Sequence, residues 1–509
     1  MKNNVKLAKV ETLNFFPHKE TGTAIASEIG TVTYAKLKDT VKTIGQQLAS
    51  LGVKPNYPVA IVLANGPAAA VAFVSVSSYA TAAPLNPNYT KSEFLFYLRD
   101  LEAKLLILDA DVQSLARTAA EELSIPVVEL VVEEKLADMY LTKDGRRLLG
   151  KGASENLRSD VALILHTSGT TSRPKIVTLT VNNIVVSAQN ICQTLALSSR
   201  DIYLNIMPLF HIHGLIAGVL ATLHSGGTIF CSRGFDALNF FNLLKSVQPT
   251  WFSAVPTMHQ AILSRAPRNQ GIVDESQLRF IRSSSASLPV VVLEKLEKVF
   301  RCPVIEAYGM TEAAHQMSSN QLPPLKRKPG TVGIQTGTTI KIMSNSGSML
   351  PKNTVGEIVI KGANVTEGYR NNLKANEESF KGSWFRTGDQ GSIDEEGFLT
   401  IKGRIKEIIN RGGEKVSPLE VDEALLDHAN IDQAVTFAIP HDKLGEEVAA
   451  AVVLNKPAQI NDMEIRTFLA AKLSPYKIPR QIVFLDEIPK GSTGKVQRIG
   501  LAQRLGFKK

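Results

Sequence analysis

The residues of this sequence best suited to chemistry begin with a hydroxyl-rich loop after a short apolar run. Residues 161–165 (VALIL) are all apolar, as in a strand buried on both faces, and residues 167–175 read TSGTTSRPK. Backbone N–H groups, hydroxyl groups and a lysine in such a loop can bind phosphate oxygens. The loop therefore predicts a polyphosphate site, although a polar surface loop can have a similar composition. It lacks the Gly-x-x-x-x-Gly-Lys-Ser/Thr spacing of the common phosphate-binding loop.

A second group of candidates lies in a segment that reads VIEAYGMTE and ends at Glu312. Tyr308 can stack on adenine, and Thr311 can bind a phosphate oxygen. Glu312 can hold Mg²⁺, a hard cation that prefers oxygen ligands. The alternative interpretation is a core methionine followed by a surface glutamate.

The third candidate is Lys495, in the loop 489–495 (PKGSTGK) near the C-terminus. A lysine on a Gly/Ser/Thr loop moves at little cost and can neutralise charge on a reacting carboxylate and an α-phosphate. A solvated basic tail is the alternative, since C-terminal segments are commonly of that kind.

Taken together, these segments resemble the signature motifs of the adenylate-forming enzymes: acyl-CoA synthetases, peptide-synthetase adenylation domains and firefly luciferase. The loop is similar to Ser/Thr-Ser-Gly-Thr-Thr-Gly-x-Pro-Lys-Gly, with Ser172 and Ile176 in place of the two later glycines. The segment Tyr308-Gly-Met-Thr-Glu312 resembles a second signature of the family. The resemblance runs over residues 25–500, with the motifs in the family's order, and looks closest to the oxalyl-CoA synthetase branch of plants and fungi.

The resemblance implies roles for residues at the matching positions. Those expected to bind ATP or AMP are Thr167, Ser168, Gly169, Thr170, Thr171, Lys175, Ser285, Ala286, Glu306, Ala307, Tyr308, Thr311, Asp389, Arg404, Lys415 and Lys495. Those expected to take part in catalysis are Lys495, His211, Thr311 and Glu312, with Glu312 as the Mg²⁺ ligand. Gly412 and Gly413 would line the tunnel for coenzyme A, and Lys406 would be the hinge of a mobile C-terminal domain.

The acyl pocket implied by the resemblance is polar, with His213, Ser285 and His315 as its candidate residues. Unpaired polar groups disfavour an aliphatic tail, whereas a second carboxylate would find partners among them. We therefore expect an ATP-dependent acid–CoA ligase for oxalate. The alternatives are a medium-chain or coumarate-like aryl acid–CoA ligase, a stand-alone peptide-synthetase adenylation domain, and a non-catalytic nucleotide- or RNA-binding protein. A serine-rich turn and ordinary loop histidines would explain the same residues without function.

The elements that must position these residues alternate between strands and helices, which predicts α/β layers with parallel strands. The apolar pattern predicts helices over 35–52, 67–82 and 181–200, strands over 59–63, 105–108, 355–360 and 398–401, and a loop over 140–160. We expect a large domain of layered α/β subdomains with a small antiparallel barrel-like subdomain (1–405), and a small mobile α+β domain (406–509).

Composition restricts the class of protein further. With 509 residues, 44% of them hydrophobic, the chain can bury a large core in more than one domain. The net charge of +9 suits anionic ligands, and no basic-aromatic array indicates nucleic acid. Three distant cysteines suit a reducing compartment, and neither a signal peptide nor a membrane-spanning run is evident. We expect a cytoplasmic monomer or homodimer that uses ATP, Mg²⁺, coenzyme A and a carboxylic acid.

Overall fold

The structure is a computed structural model that describes residues 15–16, 21–110, 112–150, 160–167, 174–455, 460–490 and 496–507. In the first part of the chain the strands are β1 (Thr23–Ser27), β2 (Gly30–Thr33), β3 (Pro58–Val62), β4 (Thr81–Pro84), β5 (Leu105–Asp109), β6 (Val127–Val132), β7 (Met139–Lys143), β8 (Arg146–Arg147), β9 (Val161–His166) and β10 (Ile176–Thr180). The next are β11 (Ile202–Asn205), β12 (Thr228–Cys231), β13 (Trp251–Ala254), β14 (Phe280–Ser284), β15 (Val304–Met310), β16 (His315–Ser319) and β17 (Ile334–Gln335).

The later strands belong to two smaller sheets. They are β18 (Thr339–Met343), β19 (Gly356–Lys361), β20 (Phe380–Lys381), β21 (Trp384–Ile393), β22 (Leu399–Arg404), β23 (Ile409–Arg411), β24 (Glu414–Val416), β25 (Ile431–His441), β26 (Gly445–Leu454) and β27 (Gln481–Phe484).

The helices cover the faces of these sheets. They are α1 (Tyr34–Ser50), α2 (Pro67–Tyr79), α3 (Lys91–Asp100), α4 (Leu115–Glu122), α5 (Val181–Thr194), α6 (Ala221–His224), α7 (Phe240–Val247), α8 (Pro256–Leu263), α9 (Gln270–Asp274), α10 (Val290–Phe300), α11 (Leu373–Ser379), α12 (Pro418–Leu426), α13 (Asp462–Ala470) and α14 (Leu501–Arg504). A π-helix, His213–Leu220, precedes α6. Within the described residues, no helix is both long and apolar enough to cross a membrane.

Two large sheets form the first two-thirds of the described chain. One has the order β17-β16-β15-β14-β13-β11-β12-β1-β2, and the other has the order β10-β9-β4-β3-β5-β6-β7-β8. The central strands of both pair in parallel, as in α/β proteins whose sheets are covered on both faces. The largest apolar core contains residues of both sheets, so it joins them.

Strand β14 separates two cores, because its successive side chains point to opposite faces. Phe280 belongs to the core shared by the two large sheets, and Ile281 belongs to a second core with α7, α8 and α10. By the same alternation Arg282 faces the first core and Ser283 the second. Ser283 is paired with Glu306 on β15, so Glu306 lies on the second face.

Two smaller sheets complete the fold. Strands β18 to β22 form an antiparallel sheet, and β23 to β27 form a sheet covered by α12 and α13. The change from one sheet to the other falls between Arg404 and Ile409. Helix α12 begins as its sequence predicts, with Ser417 accepting a hydrogen bond from Glu420 N–H and Pro418 in the first turn.

Three of the local predictions differ from the structure. The helix predicted over 181–200 ends at Thr194. The helix predicted over 67–82 ends at Tyr79, because Thr81–Pro84 is a buried strand, and small apolar residues without alternation do not distinguish the two structures. The loop predicted over 140–160 contains the hairpin of β7 and β8. Its turn is Asp144-Gly145 with positive φ at both residues, a dipeptide that favours hairpins.

Candidate active site

The candidate site lies where the parallel strands β13, β14 and β15 reach their carboxyl ends. Ligands bind at this edge of open parallel sheets because the connecting loops diverge there. Ser285 follows β14 directly, and Tyr308 lies near the end of β15. Thr311 begins a short 3₁₀-helix, and His315 begins β16. The topology therefore gathers four of the predicted residues at one edge.

The residues expected to bind adenosine meet across two sheets. The Tyr308 hydroxyl donates to Asp389 Oδ2, and Arg404 Nε lies 3.5 Å from Asp389 Oδ1. Asp389 and Arg404 are direct partners across the antiparallel strands β21 and β22. Burial raises the pKa of Asp389 above the usual carboxyl value, while Arg404 and the Tyr308 hydroxyl oppose that rise. An aromatic ring, a carboxylate and a guanidinium group in contact are suited to a nucleoside.

The loop expected to bind phosphate is closed at its neck, where Thr167 N–H donates to the Lys175 carbonyl at 2.9 Å. Lys175 Nζ lies 4.5 Å from the centroid of the Tyr369 ring, and the Tyr369 hydroxyl donates to Glu312 Oε1 at 2.8 Å. Tyr369 thus connects the end of the loop to the expected Mg²⁺ ligand. The predicted residues that lie outside the described part of the chain are Ser168, Gly169, Thr170, Thr171 and Lys495.

The residues expected in the acyl pocket form a cluster of two buried histidines and a half-buried serine. His213 Nδ1 lies 3.0 Å from Ser285 Oγ, and the His213 and His315 ring centroids are 4.8 Å apart. The two histidines are 0% and 1% exposed. Ser285 and His315 have φ of +76° and +99°, which side-chain-bearing residues rarely adopt. Gly309 makes room for this backbone, since a Cβ there would lie 2.2 Å from the His315 carbonyl oxygen. Strained residues of this kind cluster at functional sites.

His211 lies beside this cluster, on the turn that leads into the π-helix. Its Nδ1 accepts a hydrogen bond from the His213 N–H at 3.3 Å. Asn65, from a distant part of the chain, holds the turn by accepting from Leu209 N–H at 2.8 Å. His213 is the first residue of the π-helix, a form of helix that recurs at functional sites. The position of His211 beside the acyl cluster suits its predicted role.

Glu306, Ala307 and Ala286 support or form the loop after β14. The buried Glu306 carboxylate accepts from Leu288 N–H at 2.9 Å, and burial raises the pKa of Glu306 to about 8. The Ala307 carbonyl accepts from the Ser284 hydroxyl at 2.7 Å. Ala286 is exposed on the loop. Glu306 and Ala307 therefore hold this loop in place, and their contact with the nucleotide stays a prediction.

The residues expected to line the coenzyme A tunnel form the turn between β23 and β24. Gly412 and Gly413 have φ of +60° and +100°. A Cβ on Gly412 would lie 2.9 Å from the Leu444 side chain, whereas a Cβ on Gly413 would meet no atom within 4 Å. Lys415 is exposed on β24 and lines a cleft beside the antiparallel sheet. The tunnel and the phosphate contact of Lys415 stay predictions.

The expected hinge residue, Lys406, is exposed on the turn between β22 and β23. The next residue back, Ile405, donates its N–H to the Gly388 carbonyl at 2.9 Å. The next residue on, Glu407, lies 3.5 Å from Arg498. The turn is thus tied to the antiparallel sheet on one side and to the C-terminal unit on the other, which suits the predicted hinge.

Comparison with known proteins agrees with this arrangement. A family model described as AMP-binding enzyme matches residues 16–370, and one described as AMP-binding enzyme C-terminal domain matches residues 420–495. The chain belongs to the AMP-binding enzyme family. The predicted membership of the adenylate-forming superfamily is therefore confirmed, and so is the predicted α/β architecture.

Several members of the AMP-binding enzyme family are similar over most of their length. The oxalate–CoA ligase of Arabidopsis thaliana is 42% identical over 479 residues, which are 93% of each chain. The oxalate–CoA ligase of Saccharomyces cerevisiae is 43% identical over 471 residues, 87% of this chain and 86% of that one. The crystal structure of ATP-bound MatB from Rhodopseudomonas palustris superposes with a TM-score of 0.85 at 26% identity, covering 96% of each chain.

The structure adds residues to the site that the sequence did not indicate. They are Tyr369 on the nucleotide side, and Ser253, Arg282 and Gln316 behind the acyl cluster. Each of these residues lies 29 or more positions along the chain from the residue that it contacts. No local motif can therefore relate the two. An arginine directly after the two apolar residues Phe280 and Ile281 of a buried strand was the one available signal, because buried arginines are rare.

Proposed function

We propose that this protein is an AMP-forming acid–CoA ligase whose acid substrate is oxalate. The observation that carries the proposal is the polar cluster of His213, Ser285 and His315 beside the nucleotide residues. A hydrocarbon or aryl tail would form no hydrogen bond with this polar wall, whereas a small acid with a second carboxylate can accept one from the Ser285 hydroxyl. The two relatives at 42% and 43% identity, both oxalate–CoA ligases, support the same substrate.

In the first half-reaction, an oxalate oxygen attacks the α-phosphorus of ATP, and the bond to the β-phosphate oxygen breaks. The products are oxalyl-AMP and pyrophosphate. Asp389 and Arg404 hold the ribose, and Lys175 and the 167–175 loop hold the phosphates. His211 and Thr311 position the reacting groups, and Lys495 neutralises the charge that develops between acid and α-phosphate. Catalysis of this kind is largely positioning and electrostatic stabilisation.

Glu312 fits a role as the protein ligand of Mg²⁺. It offers hard carboxylate oxygens, and the Tyr369 hydroxyl fixes one of them. Among the described residues, no three metal-binding side chains are grouped into a cage. One carboxylate is enough for Mg²⁺, which commonly takes its other ligands from substrate phosphates and water. When bound, the ion would neutralise phosphate charge and orient the leaving pyrophosphate.

In the second half-reaction, the thiolate of coenzyme A attacks the oxalyl carbonyl carbon, and AMP leaves with the electron pair of the broken C–O bond. The C-terminal domain turns about Lys406, which withdraws Lys495 and brings the Gly412–Gly413 turn to the site. The superposition on ATP-bound MatB covers 96% of each chain and so includes both domains. The open space around Gly413 fits a turn that is not engaged at this stage.

The proposal extends to the setting of the enzyme. Its partners are a carboxylic acid, ATP and coenzyme A, and it acts as a monomer or homodimer without nucleic acid. Cys192, Cys231 and Cys302 are free, which suits the reducing cytoplasm. Fluorescence microscopy of the tagged protein and size-exclusion chromatography with light scattering test these two points.

The deciding experiment is ATP-dependent AMP release with oxalate, malonate, octanoate or coumarate, with and without coenzyme A. We expect release with oxalate that depends on coenzyme A. A preference for octanoate or coumarate would refute oxalate as the substrate while leaving the ligase class intact. The Lys495→Ala variant divides the mechanism: it should lose oxalate-dependent pyrophosphate exchange but still form the thioester from supplied oxalyl-AMP. Loss of both reactions in a folded variant would contradict the assigned roles.

A further inference from the structure

Behind the acyl cluster lies an arginine that is completely buried and has no acidic partner among the described residues. Arg282, on β14, is 0% exposed. Its Nη1 lies 3.2 Å from His213 Nε2 and 3.4 Å from Ser253 Oγ, and its Nη2 donates to Gln316 Oε1 at 3.0 Å. Its Nε has no hydrogen-bond acceptor within the part of the chain that the structure describes. Burial lowers the pKa of Arg282 to about 10, so the group remains a cation at neutral pH.

A buried charge without a counter-ion is costly, and proteins normally pair such groups. Here the three contacts of Arg282 are all with neutral side chains. The charge is therefore not explained by the stability of the fold. The guanidinium group faces the side on which His213, Ser285 and His315 lie, so an anion bound there would supply the missing counter-charge.

The contacts of Arg282 also determine which nitrogen of His213 carries the proton. A guanidinium group can only donate, so His213 Nε2 must accept. Ser253 Oγ lies 2.6 Å from the same nitrogen and can donate to it while accepting from Arg282. The proton of the neutral imidazole is then on Nδ1, which donates to Ser285 Oγ at 3.0 Å. The Ser285 hydroxyl hydrogen is left to donate to a bound acid.

Gln316 holds the guanidinium group from the other side. Its Nε2 lies 3.2 Å from the hydroxyl oxygens of both Thr194 and Thr336. The Thr194 hydroxyl already donates to the Asn190 carbonyl at 2.6 Å, so its oxygen accepts from Gln316. The amide oxygen of Gln316 is therefore directed to Arg282, and the arginine is fixed between two oriented neutral partners.

We propose that Arg282 is the positioning residue that makes this enzyme select dianionic acids: it fixes His213 as the Nδ1–H tautomer and supplies the positive charge for a second carboxylate. The proposal rests on the proposed function and deepens it. Arg282 does not itself need to touch the acid. Its charge acts through a buried, low-dielectric region, where electrostatic interactions are stronger than in water.

The test compares oxalate with oxamate, which has the same shape but carries an amide in place of one carboxylate. Acid-dependent pyrophosphate exchange is measured for wild type, Arg282→Gln, Arg282→Lys and the control Arg279→Gln. Arg279 is half-exposed, lies immediately before the same strand, and pairs with Asp201. In Arg282→Gln we expect the ratio of kcat/KM for oxalate to that for oxamate to fall about 100-fold, mainly through the KM for oxalate. Arg282→Lys should retain most of the ratio, and Arg279→Gln should not change it.

Equal losses with both acids in Arg282→Gln would overturn the proposal, because they would indicate a structural role alone. A wild type that activates oxalate and oxamate equally would also overturn it, while the proposed function would stand. If the wild type prefers malonate, the same comparison with malonate and malonamate decides the role of Arg282. If it activates no diacid, both proposals fail.

Calorimetric ATP binding checks that each variant is folded. Should Arg282→Gln not fold, Ser253→Ala replaces it, with about a 10-fold fall in the same ratio expected.

Discussion

The nucleotide side and the acyl side of the site treat charge in opposite ways. On the nucleotide side each buried carboxylate has a partner: Asp389 contacts Tyr308 and Arg404, and Glu312 accepts from Tyr369. On the acyl side the buried cation, Arg282, contacts only neutral groups. On the nucleotide side the buried carboxylate of Asp389 therefore has a cation of the protein beside it, whereas on the acyl side the buried cation has no anion beside it among the described residues.

This difference fits the ligands that each side must accept. ATP carries its own counter-ion and many hydrogen-bonding groups. The residues that bind it can therefore be paired with one another in the free protein and exchange those partners for ATP on binding. The acid is small and offers little apolar surface, so charge must provide most of its selection. Because Arg282 has no counter-charge among the described residues, the acyl side favours a ligand that brings a negative charge close to this arginine. The predictions below alter the two sides in turn, beginning with the largest expected effect.

Replacing the carboxylate on the nucleotide side should nearly abolish the first half-reaction. Glu312→Gln keeps the shape and the contact with Tyr369 but removes the charge that would hold Mg²⁺. We expect about a 10³-fold fall in kcat/KM for pyrophosphate exchange, roughly 4 kcal/mol of transition-state stabilisation. The measurement is a titration of exchange rate against Mg²⁺ at saturating oxalate.

The matched control is Tyr369→Phe, which keeps the ring beside Lys175 and removes the hydroxyl that donates to Glu312. Losing one hydrogen bond to a charged group costs about 1.5–3 kcal/mol, so an effect of roughly 10- to 100-fold is expected. If Tyr369→Phe were as damaging as Glu312→Gln, the hydroxyl rather than the carboxylate would be the essential group.

On the acyl side, Ser285→Ala should weaken selection of the acid more than it weakens binding of ATP. The variant removes the hydroxyl that receives the His213 Nδ1–H and donates onward to the acid. We expect kcat/KM for oxalate to fall by about 10- to 100-fold, since a hydrogen bond to a charged ligand is lost. Because Ser285 is also among the residues expected to contact the nucleotide, the KM for ATP should change, but by less than the KM for oxalate. Ser287→Ala, two residues further along the loop, is the control, and an equal effect there would show that the loop rather than the hydroxyl matters.

The nucleotide side was the more predictable of the two regions from sequence. Its residues lie in contiguous motifs, so Tyr308, Asp389 and Arg404 could be named without knowing how the sheets meet. The layered α/β core was predictable for a similar reason: apolar runs and helical spacing are local properties. Helix α1, for example, was predicted over 35–52 and runs from Tyr34 to Ser50.

The acyl side was only half predictable. Ser285 and His315 were named because they depart from the family's usual residues, and His213 because it follows the Pro-Leu-Phe-His segment, but their contacts are made across sheets. Arg282 reaches Gln316 on β16 and His213 on the π-helix, and a strand's sequence does not say which neighbours its side chains meet. Tyr369 is 57 positions from Glu312, and only the packed chain brings them together. Tertiary polar networks of this kind have no sequence period.

The last prediction concerns stability rather than activity, and it involves Glu306, the acid on the opposite face of the sheet from Arg282. Burial raises the pKa of Glu306 to about 8, compared with about 4.3 for an unfolded glutamate. The folded protein therefore holds a proton there that the unfolded chain releases above about pH 4.5. A neutral Glu306 also leaves the positive charge of Arg282 uncompensated, which is the condition that distinguishes the acyl side from the nucleotide side.

It follows that Glu306 makes the wild type less stable, relative to Glu306→Gln, as the pH rises from about 5 to 8. The glutamine keeps an oxygen for Leu288 N–H but carries no titrating proton. The difference in free energy of unfolding between the two proteins should change by at most about 1.4 kcal/mol per pH unit, the limit for one proton, and should level off below pH 4.5 and above pH 8. Urea unfolding of both proteins at half-unit pH steps measures it. Parallel curves would mean that Glu306 is ionised in the folded protein, and its negative charge would then be available to balance Arg282 across the sheet.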